Sequence, residues 1–190
     1  DMPADIGRPI ETKVNDGIAE TPFIRRGDSA YVIVEGPTWE EAEANANKLG
    51  GHLVTINDAE ENQWLLENYD LDGLYPINHT ERGEPAEGEE AYWIGFTDKD
   101  SESTWRWSSG QSTNYINWLD DTATGGNGTP NGWTGENHAY IGGYVDGTWD
   151  DQPDDSPVPT LNKGIAEIQL APNNAPTGDL VIDGELKVGE

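Results

Sequence analysis

Apolar positions in this chain of 190 residues come in short groups whose spacing changes from one segment to the next. AYVIVEG (30–36) is a continuous apolar run, and it predicts a buried strand. In PTWEEAEANANKLGG, which follows, Trp39, Ala42, Ala46 and Leu49 recur at helical spacing. Thr38 with Glu41 three residues on makes a capping box, and Gly50 and Gly51 supply a left-handed stop. HLVTI (52–56) predicts a second strand or extended link. NDAEENQWLLENY predicts a second helix, capped by Asn57 and facing inward with Trp64, Leu65 and Tyr69. Residues 70–90 are polar and spotted with Gly and Pro, which reads as a surface loop. AYWIGFTD, TWRWSSG, HAYIGGYV and GIAEIQL then each have strand character, with one long loop at 108–137. A strand, two helices and then several strands give an α+β fold rather than alternating β-α-β units.

The flanks differ in texture. Residues 1–27 are polar and read as a linker or lead-in segment, and 28–170 hold the domain. Residues 171–190 read as a Pro/Asn linker followed by the start of another module, so the chain is expected to be part of a longer multidomain protein.

Charge narrows the partners. With 37 acidic against 10 basic residues the net charge is −27, which excludes nucleic-acid binding of the usual basic kind and disfavours anionic membrane. No apolar run approaches the roughly 20 residues of a membrane span, so no membrane insertion is expected. Eight Trp, seven Tyr and two Phe provide for a core. There is no cysteine, so a chain working outside a cell needs another staple, and bound calcium is the candidate.

The densest charge lies in VDGTWDDQPDD, where Asp146, Asp150, Asp151, Asp154 and Asp155 surround Trp149. Calcium takes about six to eight hard oxygen ligands, and carboxylates, an Asn carbonyl and a Thr hydroxyl all qualify. A glycosidase would use paired carboxylates too, but no proton donor in an evident pKa-raising pocket and no nucleophile motif accompanies them. No enzyme is expected. His52, His79 and His138 share no metal or catalytic spacing and read as structural or surface residues.

Five landmarks occur in order: TWEEAEANANKLGGHLVTI, YWIGFTD, NYINW, TWDD and GIAEI. Over residues 28–170 they resemble the C-type lectin-like domain. That resemblance implies two helices with antiparallel sheets and a long calcium-binding loop. The family usually carries two disulfides; Ala166 and His138 stand where half-cystines are expected. The chain therefore resembles a Cys-free bacterial version, as in modular RTX-type surface adhesins, which implies an extracellular location at a bacterial cell surface. NHT and NGT match the glycosylation pattern and read, in a bacterial chain, as chance.

The resemblance also implies a site. TPNGWTGEN offers Thr129, Asn131 and Glu136 as metal ligands, and WDD offers Asp150 and Asp151. Thr129 replaces an acid or amide and Asp150 replaces an Asn, so the family's total of three negative charges is kept. A cis Thr129–Pro130 bond would turn both flanking side chains toward one point. TDKDSE supplies Asp98 and Glu102 for an auxiliary calcium site, with Asn137 a third ligand. Asn131, Glu136 and Asp150 would hydrogen-bond a sugar, and Trp133 could stack on it. The Asn-type triplet resembles the class that takes fucose- and mannose-type glycans of cell surfaces. The alternative is a calcium-stiffened domain of the same fold that binds protein or ice. Trp93, Trp105, Trp107, Trp118 and Trp149 are expected in the core, and Asp146, Asp154 and Asp155 are expected to be solvated.

Overall fold

The computed structural model describes residues 23–69, 71, 90–120, 122, 128–131, 135–142, 147–154 and 161–170. Eight strands and two helices follow in the order β1 (Ile24–Arg26), β2 (Ser29–Glu35), α1 (Trp39–Lys48), β3 (His52–Leu53), α2 (Ala59–Tyr69), β4 (Ala91–Thr97), β5 (Arg106–Trp107), β6 (His138–Gly142), β7 (Trp149–Gln152) and β8 (Lys163–Gln169). The α+β expectation holds. The sheet runs β1-β2-β8-β4-β6-β7, with β3 on β8 and β5 on β4. It is mixed rather than antiparallel throughout, because β4 and β8 meet in parallel at Trp93 and Gly164.

Both faces of the sheet are covered, which explains why β2 reads as an unbroken apolar run. Tyr31 and Ile33 look toward α2, in a core with Trp64, Leu65, Leu66, Ile94, Phe96, Trp107, Ile141 and Trp149. Ala30, Val32 and Val34 look the other way, toward Trp39, Ala42 and Ala46 of α1 and toward Trp93, Tyr140 and Ala166. Trp93, Trp107 and Trp149 are buried as expected. Trp105 and Trp118 are partly buried against the same core.

Thr38 caps α1, its hydroxyl accepting from the Glu41 amide at 3.1 Å, a contact that stabilises by about 1 kcal/mol. Gly50 takes the left-handed φ of 82° just past the helix end. Two expectations are corrected. The cap of α2 is Asp58, whose Oδ1 accepts from the Glu61 amide at 2.8 Å; Asn57 instead donates its backbone amide and side chain to Glu61 Oε2. The strand or extended link expected at 52–56 is present, with β3 ending at Leu53 and Val54 still bonding Ile165 of β8. The domain includes residues before 28, because β1 pairs with β2 and Phe23 is buried.

His138 and Ala166 show what fills the positions where the family resemblance expects half-cystines. Ala166 is fully buried in the α1 layer. The His138 ring stacks on Trp39 at 4.5 Å, meets Trp93 edge-on at 6.2 Å, and places Nδ1 3.1 Å from Thr97 Oγ1. Its other nitrogen lies 4.0 Å from Asp154. Burial pushes the imidazole down to about 4; Lys99 adds to the effect and Glu40 opposes it.

The folded pKa is therefore below the ordinary 6.5, so the unfolded chain binds the extra proton between these values, and stability falls as pH drops from 6.5 to about 4. The full cost is about 3 kcal/mol. Melting curves of the native chain and of His138→Phe should diverge across that window, because other groups titrate alike in both. Parallel curves would refute the assignment.

Candidate functional site

The long loop is tied to the sheet at Trp149. Residues 117–119 run beside it in a short parallel bridge: Trp149 N donates to Asn117 O at 2.8 Å, and Leu119 N donates to Trp149 O at 2.9 Å. Thr129 joins from further along the loop. Its amide donates to Leu119 O at 3.0 Å, and its hydroxyl faces Trp149 O at 3.0 Å and Leu119 O at 3.2 Å. The hydroxyl proton thus serves loop docking, a role that the sequence reading of Thr129 as a ligand did not include. The Thr129–Pro130 bond is cis.

Strand alternation then separates the two acids of WDD. Trp149 and Asp151 share the buried face of β7, and Asp150 takes the other face beside Tyr140, its cross-strand partner. Asp150 Oδ2 accepts from Tyr140 Oη at 3.3 Å, and Oδ1 accepts from the Asp151 amide at 2.9 Å. Asp151 is 1% exposed, and neither of its carboxylate oxygens accepts a hydrogen bond. Burial, reinforced by the charges of Asp150 and Glu136, pushes its carboxyl up to about 8; the amides of Asn131 and Asp151 lie close enough to offset part of this. Glu136 Oε2 is also buried. Thr129, Asn131, Glu136, Asp150 and Asp151 therefore collect at one end of the sheet, around the start of β7. Among the described residues, no three His, Asp or Glu side chains stand together closely enough to hold a metal ion unaided. A calcium site here would have to draw on the Asn131 carbonyl and main-chain or solvent oxygens as well. That mixed oxygen set suits a hard cation.

The residues of the auxiliary site are more dispersed. Asp98 is buried, with Oδ2 accepting from the Ser103 amide at 2.7 Å and Oδ1 accepting no hydrogen bond. Glu102 is exposed. Asn137 meets this turn through its carbonyl, which accepts from Thr97 Oγ1 at 2.7 Å and from the Asp98 amide at 3.2 Å. Trp133, Asp146, Asp155 and His79 lie outside the described residues. Asp154, expected to be solvated, is used by the fold: its Oδ1 accepts from the Glu40 amide in the first turn of α1 at 3.0 Å.

Sequence reasoning missed Asn62, which is 3% exposed and bonded to both Trp149 and Gly147. A signal existed. Asn62, Leu65, Leu66 and Tyr69 follow the i, i+3, i+4, i+7 spacing that marks the buried stripe of a helix.

An α+β domain with a tethered long loop and buried acids where it meets the sheet defines a lectin-like architecture. The chain belongs to the lectin C-type domain family, whose family model matches residues 35–161. A perlucin-like protein of Mytilus galloprovincialis is 28% identical over 118 residues, covering 62% of this chain and 63% of that protein. The chain thus spans less than two thirds of that relative's length. Among solved structures, the carbohydrate-recognition domain of mouse scavenger receptor C-type lectin is 28% identical, with 77% of this chain and 93% of that chain covered and a TM-score of 0.57. A calcium-independent type II antifreeze protein, 23% identical with 77% and 91% coverage and a TM-score of 0.56, shares the fold alone. Domains of this family typically bind sugars and are not enzymes. No helix among the described residues is long and apolar enough to cross a membrane.

Proposed function

We propose that this chain is a calcium-dependent carbohydrate-binding module of a secreted adhesin. The observation that carries the proposal is Asp151, a fully buried carboxylate whose two oxygens take no hydrogen bond. An isolated buried carboxylate is costly, and buried charges are ordinarily paired or coordinate metal. Asp151, Glu136, Asp150 and Asn131 would hold the ion. Calcium supplies, when bound, open coordination positions for two neighbouring sugar hydroxyls. The chain's own part is polar: Asn131 has an amide donor, and Glu136 and Asp150 have acceptor oxygens, for the same hydroxyls. Asp98, with Glu102 and Asn137, is proposed as an auxiliary calcium site on the strength of its buried Oδ1. Cell-surface glycans of the fucose/mannose type are the proposed partners.

Secretion by a bacterium is part of the same reading. It is supported by a Cys-free, highly acidic composition, although the relatives named above are animal proteins. Residues 171–190 are proposed as a linker leading to a further module.

A glycan array probed with and without a chelator tests the function. Binding that appears only with calcium is expected, and binding indifferent to chelation would defeat it. The second reading, a calcium-stiffened domain that binds protein or ice, is favoured by one detail. The Thr129 hydroxyl is turned to backbone carbonyls. Calcium-dependent melting without any glycan signal would support it.

A further inference from the structure

Trp149 stands immediately before the two acids of β7, and it is held on every polar atom that it has. Its carbonyl receives Leu119 N and Thr129 Oγ1, and its amide donates to Asn117 O. All three partners belong to the long loop. The indole is held from elsewhere: Nε1 donates at 2.8 Å to Asn62 Oδ1, on the buried face of α2. The same Asn62 side chain donates Nδ2 to Gly147 O at 3.0 Å, and Asn117 Nδ2 donates to that carbonyl at 2.8 Å. Gly147 is the turn that feeds β7. It has φ 67°, and a Cβ there would come within 2.5 Å of Leu66 Cδ1 and 2.8 Å of Asn62 Nδ2. Gly147 and α2 are therefore in direct contact, and a side chain at 147 would collide with the helix.

We propose that Asn62 is a positioning residue for the cation site: through Trp149 and Gly147 it fixes where β7 presents Asp150 and Asp151. This rests on the calcium reading above. One amide satisfies both an indole donor and a turn carbonyl, so it sets the height of the strand end relative to α2 and the tilt of the ring beneath it. Calcium–oxygen distances span only about 2.3–2.6 Å, so a displacement of a few tenths of an ångström at the start of β7 registers in affinity. Residues that orient ligands without touching the metal typically matter about 10- to 100-fold in metal affinity.

The test uses the whole chain with Asn62→Leu and Asn62→Ser. Calcium is titrated by tryptophan fluorescence well below the melting temperature, and melting is recorded in chelator and in millimolar calcium chloride. Asn62→Leu keeps the branching of the side chain, with bulkier methyl groups, and loses both hydrogen bonds. Asn62→Ser adds no charge and keeps one hydroxyl for either partner, which provides a milder variant if the first does not fold. The calcium dissociation constant is expected to rise at least about tenfold in Asn62→Leu and by less in Asn62→Ser, with the calcium-induced rise in melting temperature shrinking less in Asn62→Ser than in Asn62→Leu. A core residue with no positioning role would lower melting equally in chelator and in calcium and leave the dissociation constant unchanged; that result would overturn the assignment. A native chain that ignores calcium altogether would overturn the calcium reading, and this one with it.

Discussion

Replacing Asp151 by Asn is expected to raise the melting temperature of the calcium-free domain and to abolish its response to calcium. The carboxyl of Asp151 is buried beside Asp150 and Glu136 and is pushed up to about 8. Its folded pKa therefore lies above that of an unfolded aspartate, and between the two values the native state binds more protons than the unfolded chain. Stability of the calcium-free protein accordingly falls as pH rises from about 4 to about 8. An amide of the same shape removes the penalty, which is several kcal/mol for a buried, uncompensated charge. The same change takes an anionic donor from the ion. A ligand at 100 times its dissociation constant stabilises by about 2.7 kcal/mol, a gain that the variant should lack. Calorimetry in chelator and in calcium, at pH 5 and pH 8, separates the two effects. If Asp151→Asn melts below the native chain in chelator at pH 8, the carboxylate is serving the fold, and its place in the site is wrong.

The second large effect concerns which sugar binds. Asn131 offers a carbonyl for the metal and an NH₂ donor for a hydroxyl, whereas Asp offers acceptors only. Exchanging one for the other reverses hydrogen-bond polarity beside the sugar. Fucose or mannose at millimolar levels should compete for glycan binding where galactose does not. Millimolar affinity is about −4 kcal/mol, in keeping with a wet site on a single sugar. Asn131→Asp should lose fucose and mannose competition and gain galactose. Inhibition assays on immobilised glycan decide the matter, and stronger competition by galactose in the native chain would contradict the reading. Asp150 is then the first suspect, because its oxygens already accept from Tyr140 and from the Asp151 amide.

What the sequence made legible was local. Helix α1 follows from its apolar spacing and the Thr38 cap, and β2 and β4 from their apolar runs. Asp151 stood out through charge density around Trp149. The features that escaped depend on contacts between distant segments. Asn57 and Asp58 are both good cap residues, and the choice fell to Asp58 because the Asn57 amide and side chain are taken by Glu61. Asp154 looked solvated, since nothing near it in the chain shows that it lies against the first turn of α1. Strand β1, three residues with two arginines, carries too little apolar signal to be seen without its partner β2. In the site, the chemistry of Thr129 was readable but its orientation was not, because that depends on the carbonyls of Leu119 and Trp149. Asn62 was readable in helical phase, yet its company of Glu60, Glu61 and Gln63 disguised the stripe.

The stack of His138 on Trp39 and against Trp93 has a consequence for how the protein matures. A domain whose interior is joined by ring contacts and an imidazole–hydroxyl hydrogen bond, in a chain with no thiol, needs neither a thiol oxidase nor a disulfide isomerase. Its folding is indifferent to oxidant, in aerobic or anoxic surroundings alike. Dithiothreitol at concentrations that dismantle disulfide-stapled domains should leave its melting curve unmoved.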